Sequence, residues 1–253
     1  MLMDINHKAV EEMHRKLCLL RQEYVESKQK NIIFGNGTTW ADVEADEATF
    51  DRRDISNDSQ WKHLVKTKDA TMLWEQWAGV VQRGKPETLA LFRLAPKLTV
   101  KRAPGPGAIR KLEWKTLGNK LLHNRRIVLH TDSAKSYKLK IEGVIHDRVV
   151  HAKKRVKVDG KFRWLKPHYV KLVKHKVPNT NRTITVKSGT QIIDRAWRFL
   201  KDRIIVNQNC RAGSKALRAK LRSAQYEYWH KNDDLWLHCG VLCNRRIKKL
   251  VSA

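Results

Sequence analysis

Arg126-Ile127-Val128-Leu129-His130-Thr131-Asp132 is the stretch on which the reading of this chain turns. Its apolar run, Ile127-Val128-Leu129, drives a short strand into a core, and a carboxylate stands at the strand's polar end. Ser133 to Tyr137 then begins a short helix. A strand-end aspartate sits on backbone that its neighbours hold still, which suits a metal ligand. It equally suits an N-cap for the helix that follows.

Working outward, Gly143 to His151 reads as a further strand, carrying Val144, Ile145, Val149 and Val150. Upstream, Ile109, Leu112, Leu117 and Leu121 give a helix over 109–124. Leu73 to Val81 and Thr88 to Leu94 read as two strands joined by a turn at Gly84-Lys85-Pro86. Gly35-Asn36-Gly37 is a turn signal, and a strand through Val43 and Ala45 follows it. That strand would set Glu44 and Asp46 on one side and Val43, Ala45 and Glu47 on the other. Residues 51–70 read as a polar loop and 102–107 as a linker. Val10, Met13, Leu17, Leu20 and Tyr24 make the apolar stripe of a helix over 7–28, packed on its own chain or on a second copy in a homo-oligomer. Ile193, Trp197, Leu200 and Ile204 give a helix over 191–205, and Leu217, Leu221, Ala224 and Tyr228 give a last one. The order predicts an α/β fold, a mixed sheet flanked by helices. The expected segments are an N-terminal helical one (1–35), a main domain (36–235) with a basic β-rich insertion (152–188), and a basic tail (236–253).

The 253 residues carry 53 Lys and Arg against 25 Asp and Glu, a net charge of +28. Such an excess repels itself unless an anion binds it, and nucleic acid is the expected partner. No run of about 18 apolar residues suggests a membrane span. Met1 to Glu12 lacks a signal's apolar core, so secretion is not expected. The expectation is a nuclear protein in a eukaryote, otherwise one of the cytoplasm or nucleoid, with no small-molecule substrate. Four scattered cysteines fit a reducing compartment. A zinc site on Cys239 and Cys243 would need two more ligands, for which His238 and Cys210 are possible.

Three carboxylates bear on chemistry. Two divalent ions about 3.5–4 Å apart can cut a phosphodiester, one activating the attacking oxygen and one stabilising the leaving oxygen. Asp132, Asp46 and Asp194 are the candidate ligands. Asp46 could also be the solvent face of an edge strand. Asp194 could offset a helix dipole or pair with Arg198. Lys153-Lys154-Arg155-Val156-Lys157, with Trp164 nearby, suits phosphate contacts and base stacking.

Three motifs sharpen this. Val43-Glu44-Ala45-Asp46-Glu47-Ala48-Thr49-Phe50 resembles the first-aspartate segment of the ISXO-like insertion-sequence transposases, whose eukaryotic relatives are the Merlin elements. Leu129-His130-Thr131-Asp132-Ser133-Ala134-Lys135-Ser136-Tyr137 resembles the second, in which a tyrosine follows the aspartate by five residues. Thr190 to Lys201 resembles the third, and His151 falls where that family often has a histidine. The resemblance spans about residues 40–232. It implies an RNase H-like fold, a D-D-E site of Asp46, Asp132 and Asp194 holding Mg²⁺ or Mn²⁺, and DNA strand cleavage and transfer at transposon ends. Lys135 and His151 are then expected near the scissile phosphate. Aspartate stands at 194 where the family has glutamate, the insertion is longer, and no N-terminal zinc ribbon or helix-turn-helix is visible. A non-catalytic, domesticated or fragmentary copy that binds DNA is the alternative. A basic RNA- or ribosome-associated protein is the third.

Overall fold

A strand buried without alternation is covered on both faces, and Leu73–Val81 is buried throughout, Glu75 and Gln76 included. It forms part of the middle of a sheet. The structure, a computed structural model, describes residues 6–251 apart from 66, 68, 151, 152, 166 and 168. Its elements are α1 (His7–Lys28), β1 (Ala41–Asp54), β2 (Met72–Gln82), β3 (Lys85–Arg93), β4 (Lys97–Thr99), α2 (Lys111–Leu122), β5 (Ile127–Thr131), β6 (Val144–Arg148), β7 (Lys154–Val158), β8 (Lys161–Leu165), β9 (Lys171–Lys176), β10 (Thr183–Ser188), α3 (Gln191–Arg203), α4 (Lys215–Trp229) and α5 (Leu235–Val251).

The main sheet has the order β3-β2-β1-β5-β6, with β4 paired to β2 beside that path. The β1, β2 and β3 strands form an antiparallel meander. Both β1–β5 and β5–β6 are parallel. The fold is thus mixed α/β, and helices cover both faces. Val43, Ala45, Ala78, Val80, Ala90, Ile127 and Leu129 pack with Trp114 of α2 and with Tyr137 on one face. Trp77, Val81, Leu89 and Leu91 pack with α3 and α4 on the other. Packing of this kind is the main stabilising term, each fully buried large side chain contributing about 1.5–3 kcal/mol.

Both faces matter for Asp46. Its strand is central, paired on each side, so the edge-strand alternative is excluded. The strand also runs to Asp54, through residues expected to be loop. These polar residues are strand because β2 needs a partner there and because ion pairs satisfy them. Arg211 holds Asp51 at 2.9 Å, Lys101 holds Asp54 at 2.7 Å, and Arg53 reaches Asp58 at 3.0 Å. A bulge lies between Thr49 and Asp51.

The stretch expected as a linker is tied down within the domain. Gln76 donates to the Gly107 carbonyl and Lys97 Nζ to the Ala108 carbonyl. The N-terminal helix is no separate unit either: Cys18, Arg21 and Val25 of α1 are buried, and Arg21 pairs with Glu227 of α4. Residues expected to form a basic tail are α5, whose Leu242 is buried in the same core. Its apolar positions are spaced to seat only one side, which hides the helix within a basic composition.

The β-rich reading of 152–188 resolves into two hairpins of different character. The β9–β10 hairpin docks on the sheet through Val186 and Ile184, against Val128, Ile145 and Trp40. The β7–β8 hairpin forms a sheet of its own, closed by Asp159-Gly160, both with positive φ. That pair is the favoured chemistry for a two-residue hairpin turn. No helix among the described residues is long and apolar enough to cross a membrane.

Candidate active site

The β1–β5 register pairs Val43 with Leu129 and Glu44 with His130. The pairing ends there, two positions before Asp46 on one strand and two before Asp132 on the other. Side chains alternate along a strand, so Asp42, Glu44 and Asp46 of β1 and Val128 and His130 of β5 rise from one face, which α3 covers at Glu44 and the β9–β10 hairpin at Val128. Asp194 lies in the first turn of α3. The structure thus brings the three expected aspartates to one place.

Their charges act on one another. Burial pushes the Asp46 carboxyl up to about 8, and the charges of Glu47, Asp132 and Asp194 add to that push. Carboxylates gathered without a cation share their repulsion by keeping a proton. Asp46 accepts a hydrogen bond of 3.0 Å from Trp197 Nε1. Trp197 lies three residues after Asp194, on the same side of α3. Gly79 faces Asp46 on β2, and a Cβ there would come within 2.5 Å of the Trp197 ring. Glycine is required for the indole to lie flat on the sheet and reach Asp46. A glycine inside the apolar run Ala78-Gly79-Val80 is a sequence signal for close approach.

Asp132 also does what its bland alternative expects. Its Oδ1 accepts from the Ala134 backbone N–H at 2.9 Å, which fixes the carboxylate and turns the chain into the 3-10 turn Lys135–Lys138. Asp194 is exposed and accepts from Thr190 Oγ1 at 3.2 Å. The neighbouring acids are committed elsewhere. Glu44 is fully buried, paired with Arg83 at 2.7 Å, and it accepts from the Ile192 and Ile193 N–H groups. It caps α3 and so sets where Asp194 stands. Glu47 points to the opposite face, where Tyr137 Oη and the Ile109 N–H donate to it. The tyrosine that closes the second motif therefore anchors β1 from beneath the site.

Sequence reading missed the polar ladder beside these groups. His130 lies between Asp147, 3.0 Å from Nδ1, and Asp42, 2.8 Å from Nε2. Burial alone would lower the His130 pKa, but the bonds to the two carboxylates outweigh it and raise it. Asp147 also faces His175 of β9 at 3.4 Å. This ladder ties β1, β5, β6 and β9 together two residues before Asp132. Its signal was a histidine and an aspartate inside apolar strands.

No donor triplet from Asp46, Asp132 and Asp194 falls within 4.8 Å. As arranged, they do not converge on one ion. Two ions about 4 Å apart need a wider span, and carboxylate oxygens are the donors that Mg²⁺ or Mn²⁺ takes. Three carboxylates whose charges raise the pKa of Asp46 fit such ions.

Of the expected nucleic-acid residues, Lys135 and Lys153 are exposed. The β7–β8 register pairs Arg155 with Trp164 and Lys157 with Phe162, so these four share one face of the ribbon. Trp164 is 65% exposed and Phe162 61%. The Arg155 guanidinium lies 3.9 Å over the Phe162 ring. Both rings are thus open to solvent rather than packed in a core. Lys154 lies in β7. His151 falls outside the described residues.

Compared with family models, with curated proteins and with solved structures, the chain matches none.

Proposed function

We propose that this chain is a transposase-like DNA-handling protein with an RNase H-like fold, in which Asp46 and Asp132 hold two divalent ions and Asp194 completes the site. One observation carries this reading: the parallel β1–β5 pairing ends two residues before both Asp46 and Asp132, and the charges of Asp132 and of Asp194 on α3 both act to raise the Asp46 pKa. The meander followed by two parallel strands, in the order β3-β2-β1-β5-β6, agrees with the fold that the three motifs imply.

Bound Mg²⁺ or Mn²⁺ would activate the attacking oxygen and neutralise charge on the leaving one. The chain's own residues position and bind. Asp46 is held by the Trp197 indole, and Asp132 by the Ala134 N–H. In the first step water attacks phosphorus and the P–O bond to the 3′ oxygen breaks, freeing a 3′-hydroxyl. In the second that hydroxyl attacks a target phosphodiester and displaces the target strand's 3′ oxygen, so each step exchanges one P–O bond for another. The exposed face of Arg155, Lys157, Phe162 and Trp164, with Lys135 and Lys153, suits phosphate contact and stacking on bases.

A second reading, a DNA-binding protein without catalysis, is favoured by one feature. Asp194 is exposed and one methylene shorter than the glutamate of the resembled family, and the three carboxylates stand too wide for one ion. The test is Mg²⁺- or Mn²⁺-dependent nicking of DNA flanking the gene, comparing the wild type with Asp132→Ala. Nicking is expected for the wild type and background for the variant. Equal nicking by both would sink the catalytic assignment. Salt-sensitive binding without any nicking would select the second reading.

A further inference from the structure

Away from the sheet, at the corner between α4 and α5, three side chains converge on one point. His230 is the residue that ends α4, Asp233 lies in the turn, and His238 lies in the first turns of α5. One donor atom from each lies within 4.8 Å of the other two, the only such group of three or more among the described residues. Asp233 Oδ2 is 2.9 Å from His230 Nδ1 and 3.3 Å from His238 Nε2. A tetrahedral zinc ion with bonds of about 2.0–2.2 Å keeps its donors roughly 3.3 Å apart. The two imidazole rings lie face to face, with centroids 3.9 Å apart and planes 31° apart. Two imidazolium ions would repel in that position, inside a chain of net charge +28. Two neutral imidazoles and a carboxylate sharing one cation would not.

The corner is built to hold still. Asp233 N–H donates to the His230 carbonyl at 3.0 Å, and Asp234 Oδ1 accepts from Trp236 and Leu237 N–H groups to cap α5. Tyr226 Oη donates to the His238 carbonyl, and its ring stands 4.7 Å from that of His230. His230 Nε2 is buried with no hydrogen-bond partner, so this cluster supplies the only hydrogen bond of its ring.

We propose that His230, Asp233 and His238 form a binding site for Zn²⁺ or a similar borderline cation, which fastens the start of α5 to the end of α4. Nitrogen donors select such an ion over Mg²⁺, so this centre is chemically separate from the carboxylates of β1 and β5. Three protein ligands leave a fourth position to water. The fastened helix carries Arg245, which lies over the Tyr24 ring of α1, and Arg246, which faces Glu23. The cysteines that the sequence offered as ligands do not take part. Cys210 is buried beside the isolated bridge to Asn207, and Cys239 and Cys243 lie outside the three-donor group.

The test uses untagged full-length protein, stripped with chelator and titrated with Co²⁺ and Zn²⁺. One Co²⁺ per chain with visible bands of four- or five-coordinate geometry is expected, displaced by Zn²⁺. His238→Gln and Asp233→Asn, which keep the side-chain size, should each weaken binding at least about tenfold. Their circular dichroism in chelator should match the wild type, which separates lost ligands from lost folding. A Cys239→Ser, Cys243→Ser double variant should bind as the wild type does. No cobalt spectrum in the wild type, unchanged affinity in His238→Gln and Asp233→Asn, or loss in the cysteine variant would overturn the proposal.

Discussion

The carboxylate cluster and the β7–β8 hairpin carry the two halves of the proposed activity, and they are built in opposite ways. Asp46, Asp132 and Asp194 come from a central strand, a neighbouring strand end and a helix 148 residues downstream of Asp46. Their placement depends on register, on Gly79 and on the Glu44 cap. The hairpin stands on local sequence alone: alternating basic residues, two exposed rings and an Asp-Gly turn. Metal chemistry needs fixed donors, so it is housed where packing fixes them. Phosphate contact needs charge within reach, so a projecting ribbon suffices. The two regions should therefore fail independently.

The largest effect is expected from Asp132→Ala. Metal-dependent nicking should fall to background while DNA affinity stays within about twofold, roughly 0.4 kcal/mol. A gel-shift titration run beside the nicking assay checks it, and a parallel loss of binding would break the separation.

Next is Gly79→Ala. The added methyl meets Trp197 at 2.5 Å and Ile193 at 2.9 Å. Overpacking of this kind costs about 1–3 kcal/mol, readable as a lowered denaturation midpoint. It should also pull the indole from Asp46 and weaken Mg²⁺ binding. A midpoint equal to wild type would mean that α3 is not seated on Gly79.

The third is a pH dependence. Asp46 is raised from the ordinary carboxylate range to about 8 in the folded chain, so protonation favours the folded state. That contribution is complete below the unfolded value near 4 and is lost as pH rises to about 8. Metal-free protein should lose at most about 1.4 kcal/mol per pH unit from this group across that window. Mg²⁺ must displace the proton, so its affinity should rise with pH up to about 8. Thermal midpoints at pH 5 to 8 with and without Mg²⁺ test this. Asp46→Asn should flatten both trends.

The smallest effect belongs to the hairpin. Each of Arg155→Ala and Lys157→Ala should lower the slope of log affinity against log salt by ~0.9 for duplex DNA. Both side chains are exposed, so folding should be untouched. An unchanged slope would move the DNA path off this face.

Much of the sheet was legible. Apolar runs gave β2, β3, β5 and β6, and periodicity gave α1 to α4, because burial on one face or two leaves a pattern. The polar half of β1, the short β4 and α5 were not legible. Asp51 to Asp54 become strand through β2 and their ion pairs, and α5 is held by one buried leucine and its cap. The three aspartates could be named from motifs, but each had a bland alternative that local sequence left open. Pairing on both sides of β1 removed the one for Asp46. For Asp132, capping and site membership turned out to be compatible.

By itself the sequence determined the composition-level facts: an α/β chain of strong positive charge, its strands and main helices, and a hairpin rich in basic residues and rings. These follow from local pattern and from simple addition of charges. Only the tertiary structure decided which groups meet. Sheet and helix packing set Asp132 and Asp194 where their charges act on Asp46, a missing Cβ at Gly79 let Trp197 reach Asp46, and a helix corner turned His230 and His238 onto Asp233. Contacts between residues distant in sequence depend on how whole elements pack, and no local pattern encodes that geometry.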